Sequence, residues 1–264
     1  MIFNLEKFGR DYSLFVELTK RDFAERYKGS LIGVGWSFIQ PIFLLIVYTI
    51  VFALILRSRW GFEGNTTDFV FLLFSGLIVF NAFSECLIRS PSLITNSPNL
   101  AKKVVFPLGI LSLVSAGVAV LHMLIGFIVW MVGYFIVYEK VQLTSLMLPL
   151  FIFCITPLLL GLGWLFSAIG VFFKDINQIT GVTSQAFLFL TPIFYSIDAV
   201  PNHLRVILQL NPLTYLVDLA RSILFYGYMP GFRNLLIYFI LACCFALISY
   251  ILFSRLKPYF SEEI

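Results

Sequence analysis

Long apolar stretches alternate with short polar ones along most of this chain. Each of six stretches is long enough for a helix across a hydrocarbon core about 30 Å thick, which takes about 20 residues. The six predicted spans are residues 36–56, 69–88, 109–137, 145–173, 176–197 and 235–253. The third and fourth are longer than a bilayer requires, which predicts tilt or protrusion.

The first 35 residues follow a different pattern. Apolar residues recur there mostly at intervals of three, four or seven, and charged residues fill the gaps. This periodicity predicts an amphipathic helix lying along the cytoplasmic membrane surface. Gly29, Gly33 and Gly35 would let the chain turn from that helix into the first span.

A second irregular region, residues 199–233, separates the fifth and sixth spans. It contains two apolar pieces, 204–210 and 213–225, each too short to cross, and Asn211-Pro212 breaks them apart. We predict a helical hairpin that dips into the outer leaflet and returns. A pair of interfacial helices lying flat is the alternative.

Composition supports a membrane protein. Of the 264 residues, 60% are hydrophobic and 12% are charged, against about 25% charged in an ordinary soluble domain. Mean hydropathy is +0.95. A soluble enzyme, a disordered regulator and a disulfide-rich secreted module are thereby excluded. We predict an all-α integral membrane protein with one transmembrane domain, in which residues 36–254 form the bundle and 255–264 a cytoplasmic tail.

The distribution of basic residues predicts the orientation. With the N-terminus in the cytoplasm, 12 of the 18 Lys and Arg residues fall on the inner side. The remaining six are Arg57, Arg59, Lys140, Arg205, Arg221 and Arg233. This bias, with an even number of spans, predicts that both termini are cytoplasmic. The net charge of +4 therefore reflects orientation and does not suggest a nucleic-acid partner. The first 30 residues lack the apolar core and cleavage site of a signal peptide.

Motifs of common enzymes are absent from the sequence. It contains no G-x-x-x-x-G-K-[ST] phosphate loop, no H-E-x-x-H and no G-x-S-x-G. We predict no catalytic residue, metal site or cofactor in this chain. His122, in the third span, is a candidate functional residue because ionisable groups are costly at membrane depth. The simpler interpretation is a neutral imidazole bonded to a neighbouring helix.

Few carboxylates fall inside the predicted spans. Glu85 lies near the inner end of span two, and Asp218 could pair with Arg221 three residues later. Carriers coupled to protons or sodium usually need intramembrane carboxylates or broken helices. A secondary carrier is therefore disfavoured.

Aromatic residues are abundant in spans one and five. They could line a pore through which sugar rings slide on aromatic faces, or they could face lipid and form interfacial belts. The candidate pore residues are Trp36, Phe38, Phe43, Tyr48, Phe52, Phe187, Phe194 and Tyr195.

Four segments resemble one known family. They are 21–36 (RDFAERYKGSLIGVGW) followed by Gln40-Pro41, 99–107 (NLAKKVVFP), 172–176 (FFKDI), and 191–195 (TPIFY) leading to 211–215 (NPLTY). The chain resembles the transmembrane subunit of a type-2 ABC exporter, more narrowly the polysaccharide-export permeases of the Wzm family, with relatives for teichoic acid and capsule. Only Ile32 departs from the usual pattern at the first segment.

The resemblance implies a homodimeric export channel in the bacterial inner membrane, with a pore built largely from spans one and five. Two separate cytoplasmic ATPase subunits, carrying the ATP and Mg, would power it. The cargo would be a polysaccharide on a polyprenyl pyrophosphate lipid.

The resemblance also implies roles for particular residues. The surface coupled to the ATPases would comprise Arg21, Asp22, Glu25, Arg26, Tyr27, Lys28, Lys174 and Asp175. The lipid pyrophosphate would contact Arg21, Arg26, Lys28, Lys102 and Lys103, because guanidinium and ammonium groups suit phosphate. An outer gate would include Pro201, Asn211, Pro212, Tyr215, Asp218 and Arg221.

Simpler interpretations stand beside each role. The N-terminal segment could be an ordinary membrane-surface helix, Lys102 and Lys103 could serve topology alone, and Lys174-Asp175 could be a plain turn. The cargo could instead be teichoic acid, capsule, a lipid or a drug. An intramembrane transferase would depend on Glu85 or His122, and a passive channel would need no ATPase.

Overall fold

The computed structural model describes residues 5–55, 65–101 and 106–263, and this part of the chain contains helices joined by turns and loops, with no strand. The helices are α1 (Leu5–Glu25), α2 (Trp36–Tyr48), α3 (Thr66–Arg89), α4 (Pro98–Ala101), α5 (Ile110–Tyr138), α6 (Leu148–Phe172), α7 (Ile176–Leu190), α8 (Asn202–Leu210), α9 (Pro212–Arg221), α10 (Phe232–Leu256) and α11 (Phe260–Glu263). Short 3-10 or π-helical turns extend several of them; one continues α2 over Thr49–Ile55. The prediction of an all-α fold is confirmed.

Five helical segments in the described residues are long and apolar enough to cross a membrane. They are Gly33–Ile55, Thr66–Ser92, Ile110–Tyr138, Leu143–Phe172 and Phe232–Tyr259. They correspond to predicted spans one to four and six.

The fifth predicted span, residues 176–197, is wrong in its length. Helix α7 has 15 residues, which extends about 22 Å. It ends because Thr191 adopts an extended conformation, with φ −98° and ψ 133°, as a residue before a proline tends to do. Pro192 was therefore a local signal for this end.

Helix α3 forms the centre of the bundle. In its most apolar stretch 78% of the residues are buried, against 6% in the segment that contains α2. Trp130 of α5 donates a hydrogen bond to the Phe71 carbonyl of α3 at 2.8 Å. The turn after α3 packs closely on α6, since a Cβ added at Gly170 would lie 2.2 Å from the Pro91 carbonyl oxygen. The packing therefore surrounds α3 and leaves α2 on the periphery.

The amphipathic helix predicted near the N-terminus is present as α1. Its Phe15 and Thr19 lie over Gly117 of α5, where an added Cβ would be 3.1 Å from the Phe15 ring and 3.3 Å from the Thr19 methyl carbon. Helix α1 is thus seated against α5. Its position relative to the membrane surface stays a prediction.

The region between α7 and α10 contains two short helices, α8 and α9. The break between them falls at Asn211, as predicted, and the Asn211 Oδ1 atom caps α9 by accepting a hydrogen bond from the Leu213 amide at 2.9 Å. Whether this pair dips into the outer leaflet stays a prediction.

Candidate functional site

Charged and polar side chains gather where the end of α1 meets α3 and α5. We call this group the polar cluster; its members are Asp22, Arg26, Tyr27, Glu85, Arg89 and His122. Glu85 and Arg89 share one face of α3 because they are four residues apart. The cluster joins residues of the amphipathic N-terminal segment to residues of two predicted spans.

Asp22 links α1 to the end of α3. Its two carboxylate oxygens accept hydrogen bonds from the two terminal nitrogens of Arg89, each at 3.0 Å. Arg26 Nη2 approaches the same carboxylate at 3.5 Å. The paired contact with Arg89 is bidentate, the strongest geometry for an arginine and a carboxylate.

Glu85 is the second anion of the cluster. Arg26 donates a hydrogen bond to Glu85 Oε1, and the other oxygen, Oε2, lies 2.9 Å from His122 Nδ1. His122 Nε2 lies 2.9 Å from the Tyr27 hydroxyl. One consistent assignment has Nδ1 donating to Glu85 and Tyr27 donating to Nε2. His122 is therefore bonded to its neighbours on both sides, as the simpler sequence interpretation held.

The formal charges of the cluster balance. Two carboxylates face two guanidinium groups, and the four side chains are between 17% and 33% exposed. Partial burial raises the pKa of Tyr27 above its ordinary value of 10, and the Glu85 charge raises it further. Because each ion has a partner, a polar group can exist between apolar helices without the large cost of an unpaired charge.

The other predicted coupling residues face outward. Arg21 and Glu25 form an exposed ion pair at 2.8 Å on the outer side of α1. Lys28 is exposed beyond the end of this helix. Lys174 and Asp175 are exposed in the turn between α6 and α7. The structure thus divides the predicted coupling set between a partly buried group, Asp22, Arg26 and Tyr27, and an exposed group.

The five predicted phosphate contacts are in different situations. Arg26 is engaged by Glu85 and Asp22, and Arg21 pairs with Glu25. Lys28 is exposed. Lys102 and Lys103 lie outside the described residues.

Three of the predicted pore aromatics lie on the exposed side of α2. Trp36, Phe38 and Phe43 are 43%, 41% and 63% exposed. The ring of Phe52 lies 6.2 Å from Tyr48 and 5.5 Å from Phe69 of α3. Helix α2 therefore presents aromatic rings outward, and its π-helical continuation packs on α3 through Phe52.

The predicted pore residues of the α7 region are partly buried. Phe187 packs 5.3 Å from Phe83 of α3, and Phe194 stacks 6.1 Å from Phe189. The Tyr195 hydroxyl donates to the Phe189 carbonyl at 2.8 Å. The two buried residues of α7 are Thr180 and Ser184, so this helix turns a small polar face inward, as membrane helices do at close contacts.

Arg221 anchors the predicted outer gate. It pairs with Asp218 at 3.5 Å, as the spacing predicted, yet it is only 3% exposed. Its guanidinium donates to the Leu72 carbonyl of α3 at 3.2 Å and to the carbonyls of Pro192 and Ile193 at 2.8 and 3.0 Å. Arg221 thus ties α9 to the central helix and to the end of α7.

The remaining predicted gate residues lie in or next to α8 and α9. Tyr215 stacks on Tyr238 of α10 with ring centroids 5.0 Å apart. Asn211 Nδ2 donates to the Thr191 hydroxyl at 2.9 Å. Pro201 and Pro212 are exposed. Asn211, Tyr215 and Arg221 therefore connect α9 and its N-terminal cap to the end of α7, to α10 and to α3.

Sequence reasoning missed two of these associations. It did not pair Asp22 with Arg89, and it did not assign Arg221 to backbone carbonyls. A signal for the first was present, because Glu85 and Arg89 form a polar face at the inner end of an apolar span. Such a face needs partners from another helix.

Comparison with known proteins identifies the family. The family model described as ABC-2 type transporter matches residues 13–225. The chain is 24% identical over 252 residues to the O-antigen export system permease protein RfbA of Klebsiella pneumoniae, covering 95% of each chain. It is 27% identical over 238 residues to the protein of that name from Myxococcus xanthus, covering 84% of each chain. It is 26% identical over 218 residues to the polysialic acid transport protein KpsM of Escherichia coli, covering 79% of this chain and 80% of KpsM. The chain therefore belongs to the ABC-2 type transporter family.

Proposed function

We propose that this protein is the membrane permease of an exporter that moves a polyprenyl-pyrophosphate-linked polysaccharide, of the O-antigen type, across the bacterial inner membrane. The observation that carries the proposal is the similarity to O-antigen export permeases over 95% of the chain. The family match over residues 13–225 supports transport as its role. Export of capsule is the second candidate, which the similarity to KpsM favours.

Two cytoplasmic ATPase subunits that bind ATP and Mg would supply the energy for export. The sequence contains no phosphate loop, so a partner would supply nucleotide binding. The exposed charges of α1, together with Lys174 and Asp175, offer these subunits a contact surface. With this surface on the inner side, both termini are cytoplasmic.

The polar cluster would carry motion from the ATPase subunits into the bundle. The outer face of α1 presents Arg21 and Glu25, and its inner face is bound to α3 through Asp22 and Arg26. A push on α1 would therefore act on the most buried helix of the protein. Helix α3 in turn is bound to Arg221 of the outer hairpin, which would connect the inner surface to the gate.

The pore would form between two copies of the chain. Helix α2 is the least buried of the five spanning segments in the described residues, and its exposed aromatic rings suit contact with sugar C–H faces. Lys28, Arg21, Lys102 and Lys103 would contact the lipid pyrophosphate at the inner surface. Arg26 would contribute mainly by holding α1, because its guanidinium already has two carboxylate partners.

Co-purification tests this proposal. The full-length chain, tagged and isolated in mild detergent from its own bacterium, should bring down a cytoplasmic protein with a phosphate loop. Deleting the chain should remove polysaccharide from the cell surface and leave lipid-linked polymer inside. Retention of surface polysaccharide in the deletion strain would refute the function.

A charge-reversal pair tests the coupling surface. Lys174→Glu combined with Asp175→Lys should reduce partner recovery and export by at least tenfold. Lys140→Glu, on the predicted outer side, is the matched control and should leave both unchanged. Normal partner binding in the double variant would remove the turn from the coupling surface.

A further inference from the structure

A cavity of about 490 Å³ lies beside the polar cluster. It is open to the surface and is lined by α2, the C-terminal half of α3, the middle of α5 and the turn after α1. Its volume is within the range of about 300–1,000 Å³ that small-molecule sites occupy. The cavity is therefore large enough for a compact ligand between the helices.

Two carboxamide side chains line the cavity without internal hydrogen bonds. Gln40 of α2 and Asn81 of α3 are exposed, and within the described residues neither amide has a hydrogen-bond partner. The Nε atom of Arg26, which also lines the cavity, is buried and has no partner in the same part of the chain. Each carboxamide provides donors and an acceptor. The cavity thus combines unused donors with unused acceptors.

The charge around the cavity is balanced. Glu85 and Asp22 offset Arg26 and Arg89, so an anion entering the cavity would find no uncompensated cation among these four. A pyrophosphate group would lose its hydration without gaining a free countercharge. A neutral ligand with hydroxyl groups would meet donors and acceptors that suit it.

Apolar side chains lie beside the amides in the cavity wall. Leu44 and Ile78 both line the cavity; Leu44 is one helical turn from Gln40 on α2, and Ile78 is one turn from Asn81 on α3. A sugar ring has the matching division, with hydroxyls at its edge and C–H groups on its face. Polar groups that bond the hydroxyls, together with apolar side chains that pack on the ring face, would hold a sugar in one orientation.

We propose that this cavity binds one neutral sugar residue of the transported polymer, with Gln40 and Asn81 bonding its hydroxyls and Leu44 and Ile78 packing on its ring face. This inference rests on the proposed polysaccharide export function and names the part of the cargo that the cavity recognises. Gln40 and Asn81 are then specificity-determining residues, and the lipid pyrophosphate binds elsewhere.

Saturation-transfer NMR on the full-length chain in nanodiscs tests the site. The probes are the repeat-unit oligosaccharide released by mild acid from the surface polymer of the source bacterium and, separately, inorganic pyrophosphate. The wild-type chain should transfer saturation to the oligosaccharide. Gln40→Leu and Asn81→Leu should each reduce that signal at least fivefold, whereas Gln209→Leu, an exposed amide on α8, should not change it.

A second variant keeps the test decisive if a leucine variant misfolds. Asn81→Asp preserves the side-chain shape and the acceptor oxygen and replaces the NH2 donor with a second acceptor that sugar hydroxyls can donate to. It should therefore retain oligosaccharide binding within about threefold while its negative charge further weakens any binding of pyrophosphate. Absence of oligosaccharide binding in the wild type, unchanged binding in folded leucine variants, or binding of pyrophosphate through Asn81 would overturn the site.

Failure of the site and failure of the function give different results. If export depends on the chain but folded Gln40→Leu and Asn81→Leu variants bind and export normally, the site is wrong and the function stands. If deleting the chain leaves surface polysaccharide unchanged while the oligosaccharide still binds through Asn81, the function is wrong and the sugar site stands.

Discussion

Charged residues are few in this protein, but several of them connect helices that are distant in the sequence. Only 12% of the residues are charged, and several of those within the bundle bridge separate helices. Glu85 joins α3 to α1 and α5, and Arg221 joins α9 to α3. Removing one partner of such a pair leaves the charge of the other unpaired. The loss in folding stability is then larger than the net stability that the intact pair contributes.

We expect Glu85→Gln to destabilise the protein by about 2–3 kcal/mol, because Arg26 loses its nearest anion in a partly buried site. In purified protein this should lower the thermal midpoint by roughly 4–10 °C. Glu17→Gln, on the exposed side of α1, is the control and should shift the midpoint by less than about 2 °C. Equal shifts would mean that Glu85 contributes as a surface residue does.

We expect the contribution of Tyr27 to folding stability to depend on pH in the alkaline range. Its pKa is raised above 10 by burial and by Glu85, so the folded state favours the neutral phenol. Its contribution is complete below the ordinary pKa and is lost as pH rises through the raised value. The stability difference between wild type and Tyr27→Phe should therefore be constant from about pH 7 to 9.5 and fall above about pH 10.

Thermal midpoints measured across this pH range test the Tyr27 prediction. Tyr12→Phe, at an exposed position of α1, serves as the control. If the difference in thermal midpoint between wild type and Tyr27→Phe stays constant up to pH 11, the environment of Tyr27 does not favour its neutral form.

At the scale of elements, two sets of contacts hold α1 against the bundle. Helix α1 reaches α5 through Phe15 and Thr19 at Gly117, and it reaches α3 through the polar cluster. Close approach at Gly117 is possible because glycine has no side chain. A displacement at this contact should therefore loosen the whole helix.

We expect Gly117→Val to detach α1 partly, because even a Cβ there would lie 3.1 Å from the Phe15 ring. Limited trypsin digestion should then cleave at Lys20 or Arg21 at least threefold faster. Gly181→Val is a suitable control, since a Cβ added at Gly181 meets nothing within 4 Å. Unchanged cleavage in Gly117→Val would mean that the polar cluster alone holds α1.

At the scale of the whole molecule, burial is distributed unevenly among the spans. The α2 segment has 6% of its most apolar stretch buried and α3 has 78%. An apolar helix with so little covered surface can be exposed to lipid or can pack against a second copy. The proposed homodimer places the two α2 helices near each other.

Crosslinking tests that arrangement. In a background with Cys243→Ser and Cys244→Ser, Phe43→Cys should form a covalent dimer with a short thiol crosslinker, because Phe43 is 63% exposed on α2. Cys86 and Cys154 are buried and can remain. Ile248→Cys, 67% exposed on α10, should give at least fivefold less dimer. Equal yields from both positions would argue against an α2 interface.

Much of this architecture could be predicted from the sequence because the signals are local. Apolar runs of about 20 residues predict spans, helical periodicity predicted α1, and Asn211-Pro212 predicted the break between α8 and α9. The resemblance of four segments pointed to the family that the match over residues 13–225 then established. Pro192 was an equally local signal for the end of α7. The predicted fifth span followed the apolar run past this proline and was therefore too long.

Only the tertiary structure decided which polar groups meet and which helix is central. Arg26 pairs with Glu85 across 59 positions and approaches His122 across 96, distances at which periodicity carries no information. The segment that contains α2 is more apolar than α3 and yet is far less buried, so burial here depends on the neighbours that each helix acquires. Local sequence determines which segments become helices because backbone and side-chain preferences act over a few residues. Packing determines the charged contacts and the cavity, because those depend on several helices at once.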